Sequence, residues 1–403
     1  MSTKRIASRA VLLAVSVACG LTFANWALAR WYPLPALVYR TDPELIHLPI
    51  PGVRFVTSVE SGSSRRWVTT GINARGYRGR ELREPKAGAR IAVYGDSFVF
   101  AQEVPLEETF VERLGVALAP ERAPEMVNAG VVGFGPDQAC LRWERDAASL
   151  APDLLVLVLY AGNDFGDLLR DKLFGLDASE KAVRNRVVLS HEVQEGYDAW
   201  ERATSRPAIV RLCRLLRDEW APHRCGTAEV PARTSVEFFL ARGRAEYLDY
   251  VNDCQPTVRN SWYDYYDADV AVYPESDSAL LKRRLMRAVL ARMRDECARR
   301  LVPFLAVIVP APHDVCPDFE PRPDPARYPS WSPSRLTDTL AQILAEIHVP
   351  FVNLFEPFRE GGASRYYFGA RNVHWNAAGQ ELAARLTADQ LTERGLWPPR
   401  VVH

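Results

Sequence analysis

A short apolar strand that ends in glycine, aspartate and serine is the feature that most limits how this chain can fold. Residues 91–94 read Ile-Ala-Val-Tyr, and Gly95, Asp96 and Ser97 follow them directly. A buried strand that ends in this way places the serine hydroxyl at the carboxyl edge of a sheet, where a helix begins. The free backbone N–H groups at a helix start favour developing negative charge. Gly-Asp-Ser is also a common turn and helix cap, so its meaning depends on the rest of the chain.

Two further predicted strands and one distant loop end in residues suited to acyl transfer. Residues 126–128 lead into a glycine-rich turn that contains Gly133, where a backbone N–H can approach a ligand closely. The unbroken apolar run 154–160 is typical of a central parallel strand, and it leads to the side-chain amide of Asn163. Far downstream, His374 lies in a loop that opens a predicted C-terminal helix. A serine, a backbone N–H, an amide and a histidine are the groups that serine-nucleophile hydrolysis uses.

This ordered set of motifs resembles the SGNH (GDSL-type) hydrolase superfamily, which is named after its Ser, Gly, Asn and His. The matching residues, in the order nucleophile, two oxyanion-hole donors and base, are Ser97, Gly133, Asn163 and His374. The upstream segment 73–79, Asn-Ala-Arg-Gly-Tyr-Arg-Gly, is similar to a lead-in found in many secreted bacterial members. The resemblance covers residues ~70–170 and ~280–395. It implies a flavodoxin-like three-layer α/β/α fold with a parallel sheet, and activity on ester or acyl groups.

The catalytic acid of the superfamily usually lies two or three residues before the histidine, and here Asn372 and Arg371 occupy those positions. Such an acid holds the imidazole in one tautomer and stabilises the imidazolium. Asn372 can orient His374 through its amide oxygen but supplies no charge. Three interpretations follow: a base oriented by Asn372, which is favoured, a carboxylate from elsewhere, or a degenerate site. The candidates for that carboxylate are Asp96, also expected to support the serine loop, and Glu356.

Each of these residues also has a purely structural interpretation. Ser97 and Asn163 would cap helices, and Gly133 would serve a turn. His374 would be one of seven histidines, placed at the surface. Asp164 is interpreted as a supporting carboxylate behind the Asn163 loop. Four motifs in the right order favour the functional interpretation over these.

The N-terminus has the length and flanks of a membrane segment. Residues 10–29 carry no charge and follow a lysine and two arginines. Twenty helical residues rise about 30 Å, the thickness of the bilayer hydrocarbon, and the positive flank predicts that the body of the chain is carried across. We expect residues 1–32 to be a transmembrane anchor or signal peptide. The catalytic domain would then lie in the periplasm or at the cell surface, or be secreted if residues 27–29, Ala-Leu-Ala, are a cleavage site.

The remaining chain divides into parts by composition and motif position. A Pro- and Gly-punctuated lead-in precedes a hydrolase domain that a long insertion interrupts, with predicted boundaries at 33–88, 89–172, 173–278 and 279–403. The insertion combines a helical stretch at 208–220 with an aromatic cluster at 262–267. Its place after a catalytic-edge loop suits a lid or specificity wall, and its aromatic rings would stack on sugar rings or simply pack.

Charge and cysteine usage limit the other functions open to the chain. Fifty basic and fifty acidic residues give no net charge, and no reader motif is present, so nucleic-acid binding is unsupported. No spacing among the seven cysteines resembles a zinc site, and neither a metal nor another cofactor is expected. In an oxidising compartment the six cysteines other than Cys19 have several possible pairings, so none is assigned.

Together these features predict an extracytoplasmic serine esterase in which Ser97 attacks an ester carbonyl and His374 takes its proton. The expected partners are an ester or acylated glycan substrate and the membrane. One alternative is an O-acyltransferase acting on a cell-surface polysaccharide, because His374-Trp375 resembles the His-Trp pair of alginate and peptidoglycan O-acetylation proteins. The missing acid motivates the other alternative, a carbohydrate-binding or scaffolding protein with a relic site.

Overall fold

A five-stranded parallel sheet forms the centre of the molecule. The computed structural model describes residues 3–31, 39–61, 64–119, 124–204, 206–213, 235–262, 265–369 and 372–397. In chain order the central strands are β1 (Arg90–Tyr94), β2 (Glu125–Asn128), β3 (Leu154–Tyr160), β4 (Phe304–Val309) and β5 (Phe351–Asn353). Their order across the sheet, 2-1-3-4-5, is that of flavodoxin-like folds. The predicted α/β fold with a parallel sheet is confirmed.

The sequence explains why these strands form the centre. Every residue of β1, β3 and β4 is buried, as expected of strands covered by helices on both faces. In register, Tyr94 at the end of β1 pairs with Leu157, so β3 continues three residues further before its own loop begins. The carboxyl ends of β1, β2 and β3 therefore meet at one edge of the sheet.

Two groups of helices cover the sheet and complete three layers. Phe110–Leu118 packs against Ala377–Glu393, while Asp277–Arg299 packs against Pro136–Leu150 and Arg335–Glu346. Right-handed crossovers between parallel strands place the two groups on opposite faces. The last helix, Ala377–Glu393, therefore lies on the same face of the sheet as Phe110–Leu118, the helix that connects β1 to β2.

Shorter elements surround this core. Further helices are Thr3–Trp31, Ser97–Phe100, Leu106–Glu108, Asp164–Asp171, His191–Thr204, Val236–Asn252, Ala268–Val272, Pro312–Val315, Phe355–Glu360 and Ala363–Tyr366, of which Leu106–Glu108 and Ala363–Tyr366 are 3₁₀. Paired short strands are Tyr39–Asp42 with Ile46–Pro49, Arg54–Ser61 with Ser64–Gly71, Phe174–Leu176 with Ala182–Arg184, Val188–Leu189 with Thr257–Val258, and Tyr367–Gly369 with Asn372–Trp375.

The lead-in packs onto the segment that follows the serine. Its strands Arg54–Ser61 and Ser64–Gly71 form an antiparallel hairpin. The rings of Tyr39 and Phe55 lie 6.1 Å and 6.4 Å from the ring of Phe100, measured between centroids. The lead-in is therefore part of the scaffold that supports the serine loop.

The N-terminal helix Thr3–Trp31 contains an apolar stretch, Ser8–Ala29, with a mean hydropathy of 1.9. None of this stretch is buried, and it is long and apolar enough to cross a membrane. A signal sequence near an N-terminus has the same properties. The helix is thus consistent with both predicted roles, a transmembrane anchor or a signal peptide.

Parts of the predicted insertion lie outside the described residues. The predicted helical stretch at 208–220 is helical over 208–213, and its remainder is not described, nor are Tyr263 and Asp264 within the aromatic cluster.

Of the seven cysteines, Cys225 lies outside the described residues. The described cysteines, which carry free thiols, are Cys19, Cys140, Cys213, Cys254, Cys297 and Cys316. Three of them are buried in the core, where cysteine acts as a small apolar side chain.

Candidate active site

The end of β1 places Ser97 at the start of a short helix. The side chain of Asp96 caps this helix by accepting a hydrogen bond from the backbone N–H of Phe98 at 2.8 Å. Ser97 is 8% exposed. The helix ends after one turn because Ala101 adopts a left-handed conformation, with φ +52°, and the chain then turns into the loop that contains Glu103. The side chain of Asp96 therefore caps the helix that begins at Ser97.

A two-stranded ladder delivers the histidine to the same place. In the strand Asn372–Trp375, neighbouring side chains point to opposite sides. His374 faces the serine, and its Nε2 atom lies 2.8 Å from the Oγ atom of Ser97. Trp375 is fully buried between Phe98 and other core rings. The core position of Trp375 fixes the strand, and the strand positions the imidazole.

Asn372 contacts the other nitrogen of the imidazole. Its Oδ1 atom accepts a hydrogen bond from the backbone N–H of His374 at 3.0 Å, which identifies this atom as the oxygen. The same oxygen lies 2.8 Å from Nδ1 of the His374 ring. Because an amide oxygen can only accept, Nδ1 carries the proton and Nε2 presents its lone pair to Ser97. Arg371, at the other position where the superfamily has its acid, lies outside the described residues.

The carboxylate nearest to the imidazole is one that sequence reasoning missed. The Oε1 atom of Glu103 lies 3.5 Å from Nδ1 of His374. Glu103 is 7% exposed, whereas Glu356, a sequence candidate, is exposed and pairs with Arg359. A signal existed in the sequence, because the loop after the serine helix must lie at the same sheet edge. Nothing in that loop distinguishes Glu103 from its neighbours Glu107 and Glu108 without the fold.

The glycine-rich turn after β2 runs beneath the serine helix. A Cβ atom at Gly130 would collide with the backbone nitrogen of Phe100, so this approach needs glycine. Gly133 adopts φ +76°, and its carbonyl accepts a hydrogen bond from Nη2 of Arg170 at 2.6 Å. That bond directs the carbonyl of Gly133 towards Arg170. Gly133 is buried at the edge where Ser97 lies.

Asn163 begins the helix that follows β3, the strand next to β1. Its side chain is buried, and its Oδ1 atom has no hydrogen-bond partner among the described residues. Unpaired buried polar atoms are rare and are typical of functional sites. Asp164 accepts a hydrogen bond from the backbone N–H of Tyr160 at 2.8 Å and so braces the turn in which Asn163 lies.

A histidine of the lead-in closes the far side of the Gly133 turn. His47 Nε2 lies 2.9 Å from the carbonyl of Val132, and its ring stacks on Trp262 with centroids 4.9 Å apart. Burial lowers the pKa of His47 to about 4, so the ring is neutral at physiological pH. The Gly133 turn is thus held between the core and an aromatic layer from the lead-in and the insertion.

A cavity of about 680 Å³ adjoins this layer. It is lined by Trp200, Trp262 and Tyr265, by charged side chains such as Arg242 and Glu246, and by Arg170, which also contacts Gly133. Ser97 and His374 are not among its lining residues. The cavity therefore lies beside the candidate site rather than around Ser97.

Comparison with known proteins identifies the family. The sequence model of the GDSL-like Lipase/Acylhydrolase family matches residues 93–382, a range that contains Ser97, Glu103 and His374. The chain belongs to this family. Membership of this family makes the chain an esterase-like hydrolase. The predicted resemblance to the SGNH (GDSL-type) hydrolase superfamily is confirmed. In a comparison with curated proteins, none matches it.

Several solved structures match this GDSL-like family member over most of its length, with low sequence identity and low TM-scores. They include a lipase/acylhydrolase from Enterococcus faecalis, with 12% identity, a TM-score of 0.35 and coverage of 76% of this chain and 97% of that one. The esterase EstA from Pseudoalteromonas sp. has 12% identity, a TM-score of 0.37 and coverage of 77% and 100%. A catalytic mutant of Axe2, an acetylxylan esterase from Geobacillus stearothermophilus, has 14% identity, a TM-score of 0.35 and coverage of 76% and 96%.

Proposed function

We propose that the protein is a serine ester hydrolase that uses Ser97 as nucleophile and His374 as general base, and that it acts outside the cytoplasm. The observation that carries this proposal is the 2.8 Å separation between Nε2 of His374 and Oγ of Ser97. Asn372 supports it by fixing the tautomer in which Nε2 can accept the serine proton. Nucleophile, base and orienting group form the chain of contacts that activates a serine hydroxyl.

The reaction follows from these positions. Ser97 Oγ attacks the acyl carbonyl as its proton passes to Nε2 of His374, and the imidazolium then protonates the departing alkoxide. Water then attacks the acyl-enzyme as His374 takes its proton. The imidazolium gives this proton to Oγ of Ser97 as the carboxylic acid product leaves. The proposed donors to the oxyanion are the backbone N–H groups of Ser97 and Gly133 and the amide of Asn163. One such donor is typically worth about 3–4 kcal/mol.

Replacement of the nucleophile tests the proposal. We expect Ser97→Ala to abolish hydrolysis of short-chain aryl esters and covalent labelling by a fluorophosphonate probe. Ser330→Ala, at an exposed serine distant in sequence from every proposed group, is the matched control and should retain both. Undiminished turnover in folded Ser97→Ala protein would refute the proposal. Lack of labelling in folded wild-type protein would favour the relic-site alternative.

The membrane location rests on the exposed apolar stretch Ser8–Ala29. We propose that it anchors the protein, with residues C-terminal to it on the outer side of the membrane. After cell fractionation, an anchored chain sediments with membranes, resists carbonate extraction and retains its N-terminus by mass spectrometry. A soluble extracytoplasmic form that begins after Ala29 would instead identify a cleaved signal.

Transfer of the acyl group to a glycan is the second candidate reaction. Its sequence basis was the His374-Trp375 pair, but Trp375 is buried in the core and cannot contact an acceptor. The insertion cavity with Trp200 and Trp262 is the feature that favours a glycan substrate, because indole rings stack on sugars. Measuring acyl release to water against transfer to an added oligosaccharide separates hydrolase from transferase.

A further inference from the structure

We infer that Glu103 supplies the negative charge for His374 that members of the superfamily obtain from an acid just before the histidine. This inference rests on the proposed function of Ser97 and His374. It assigns Glu103 as a positioning residue, since it acts through the imidazole and does not contact the serine hydroxyl. The acid would thus have moved from the segment preceding the histidine to the loop that follows the nucleophile.

Asn372 and Glu103 together provide the two functions of the usual aspartate, which are orientation of the imidazole and negative charge. Asn372 takes the hydrogen bond from Nδ1 at 2.8 Å and sets the orientation of the ring. Glu103 Oε1 lies 3.5 Å from the same nitrogen, which is long for a hydrogen bond but close for a charge interaction. Because Glu103 is 7% exposed, little solvent screens this interaction.

Hydrogen bonds from Arg78 hold the backbone of the loop that carries Glu103. Arg78 is buried, and its guanidinium donates to the carbonyl of Val104 at 2.6 Å and to the carbonyl of Phe100. These two carbonyls lie on either side of Glu103 in the chain. Burial lowers the pKa of Arg78 to about 10, and among the opposing influences the charge of Glu103 is the largest. Arg78 therefore holds the backbone of this loop on both sides of Glu103 and places a positive charge near that carboxylate.

The lead-in motif that contains Arg78 is itself a closed turn. Asn73 Oδ1 accepts hydrogen bonds from the backbone N–H groups of Arg75 and Tyr77, each at 3.0 Å. The backbone N–H of Arg78 donates to the carbonyl of Asn128 at the end of β2. The segment 73–79, which the sequence resemblance leaves without a role, thus connects the sheet edge to the loop of Glu103.

The effect on the reaction is electrostatic. When Ser97 attacks, its proton moves to Nε2 and the imidazole becomes positive. A carboxylate 3.5 Å from Nδ1 favours that charged state, and it does so without taking a proton. The described groups that face the ring are Ser97, Asn372, Glu103 and Phe98, with Arg78 behind Glu103.

The test is the pH dependence of aryl-ester hydrolysis by the full chain. We expect Glu103→Gln to lower kcat roughly tenfold, because it removes the negative charge that stabilises the imidazolium formed when Ser97 attacks. Its acidic limb should move towards lower pH, since the imidazolium is no longer stabilised. The control is Glu107→Gln, at an exposed carboxylate in the 3₁₀ helix that follows this loop, which should leave both quantities unchanged.

A second substitution separates charge from structure. We expect Asn372→Asp in the Glu103→Gln background to return the acidic limb towards its wild-type position, which repair of packing alone would not do. If Glu103→Gln does not fold, Glu103→Asp replaces it, and its acidic limb should move partway towards lower pH because the shorter side chain withdraws the carboxylate from Nδ1 of His374. Loss of turnover in Ser97→Ala together with an unchanged pH profile in folded Glu103→Gln would overturn this inference while leaving the proposed function standing. Activity that survives Ser97→Ala would overturn both.

Discussion

A single oxygen of Asn372 accepts two hydrogen bonds from His374, one from its backbone N–H at 3.0 Å and one from Nδ1 of its ring at 2.8 Å. The backbone bond fixes the amide, and the amide fixes the imidazole tautomer. An asparagine can therefore orient the base without charge. This arrangement makes the position sensitive to a substitution that changes charge but not shape.

Asn372→Asp is expected to raise kcat several-fold near neutral pH and to move the acidic limb of the pH–rate profile to higher pH. The new carboxylate would accept the same hydrogen bonds while favouring the protonated ring. Asn372→Ala, which removes the acceptor, should lower kcat instead. Stopped-assay profiles of aryl-ester hydrolysis from acid to neutral pH measure both effects. An identical profile for Asn372→Asp would argue against a working contact with His374.

Asn163→Asp is expected to lower kcat by about 10²–10³ with little change in KM, because it removes the proposed oxyanion donor and keeps the side-chain shape. Asn163 makes no side-chain cap bond to its helix, so the fold should tolerate the change. Steady-state kinetics with a short aryl ester give the two constants, and circular dichroism checks the fold. A proportional rise in KM with unchanged kcat would assign Asn163 to substrate binding instead.

Arg78→Met is expected to reduce the free energy of unfolding by about 2–4 kcal/mol and to lower kcat, since it removes two charge-assisted bonds to the Glu103 loop. Arg80→Met is the matched control, at the residue that directly follows the motif 73–79. Its guanidinium is exposed and pairs at the surface with Glu112, an interaction worth about 1 kcal/mol or less. Urea denaturation and kinetics on both variants test the difference. Equal effects of the two substitutions would remove any special role for Arg78.

His47→Gln is expected to weaken the pH dependence of stability below neutrality. Burial lowers the pKa of His47 from 6.5 to about 4, so between these values the unfolded chain binds a proton that the folded protein does not. The free energy of unfolding therefore falls as pH falls through this range, by an amount on the order of 3 kcal/mol for this residue. Glutamine can still donate to the Val132 carbonyl.

The measurement for His47 is urea denaturation of wild type and variant from pH 7 to pH 4. His313, whose pKa burial also lowers to about 4, leaves part of the dependence in the variant. His191→Gln, at an exposed surface position, serves as the control and should match wild type. Parallel curves for His47→Gln and wild type would contradict the assignment of His47 as a buried neutral ring.

Local patterns in the sequence predict much of the fold and part of the site. The apolar run 154–160 appears as β3, because an unbroken apolar segment of this length is typical of a strand that is buried on both faces. Ser97, Gly133 and Asn163 follow three neighbouring strands, so their meeting at one edge follows from parallel topology. The role of His374 is predicted from the resemblance of its motif to the superfamily, whereas its contact with Ser97 depends on the tertiary structure.

The carboxylate near the imidazole is not predictable in this way. Glu103 has no spacing relationship to His374, and the candidates chosen from the sequence, Asp96 and Glu356, cap a helix and pair at the surface respectively. The carboxylate of Glu103 becomes a candidate only in the folded protein, where its loop lies beside His374 and Arg78 bonds to the backbone on both sides of it. Electrostatic partners depend on distance in space and on shielding from solvent, and neither quantity is encoded in local pattern.

By itself the sequence determined the parallel sheet, the serine at its edge and the order of the four motifs, because hydrophobic period and turn chemistry act between near neighbours. Tertiary structure decided which nitrogen of His374 carries the proton, which carboxylate stands beside it, and that Trp375 supports the core rather than the substrate. Those outcomes depend on contacts between residues up to 277 positions apart, which form only when the chain packs.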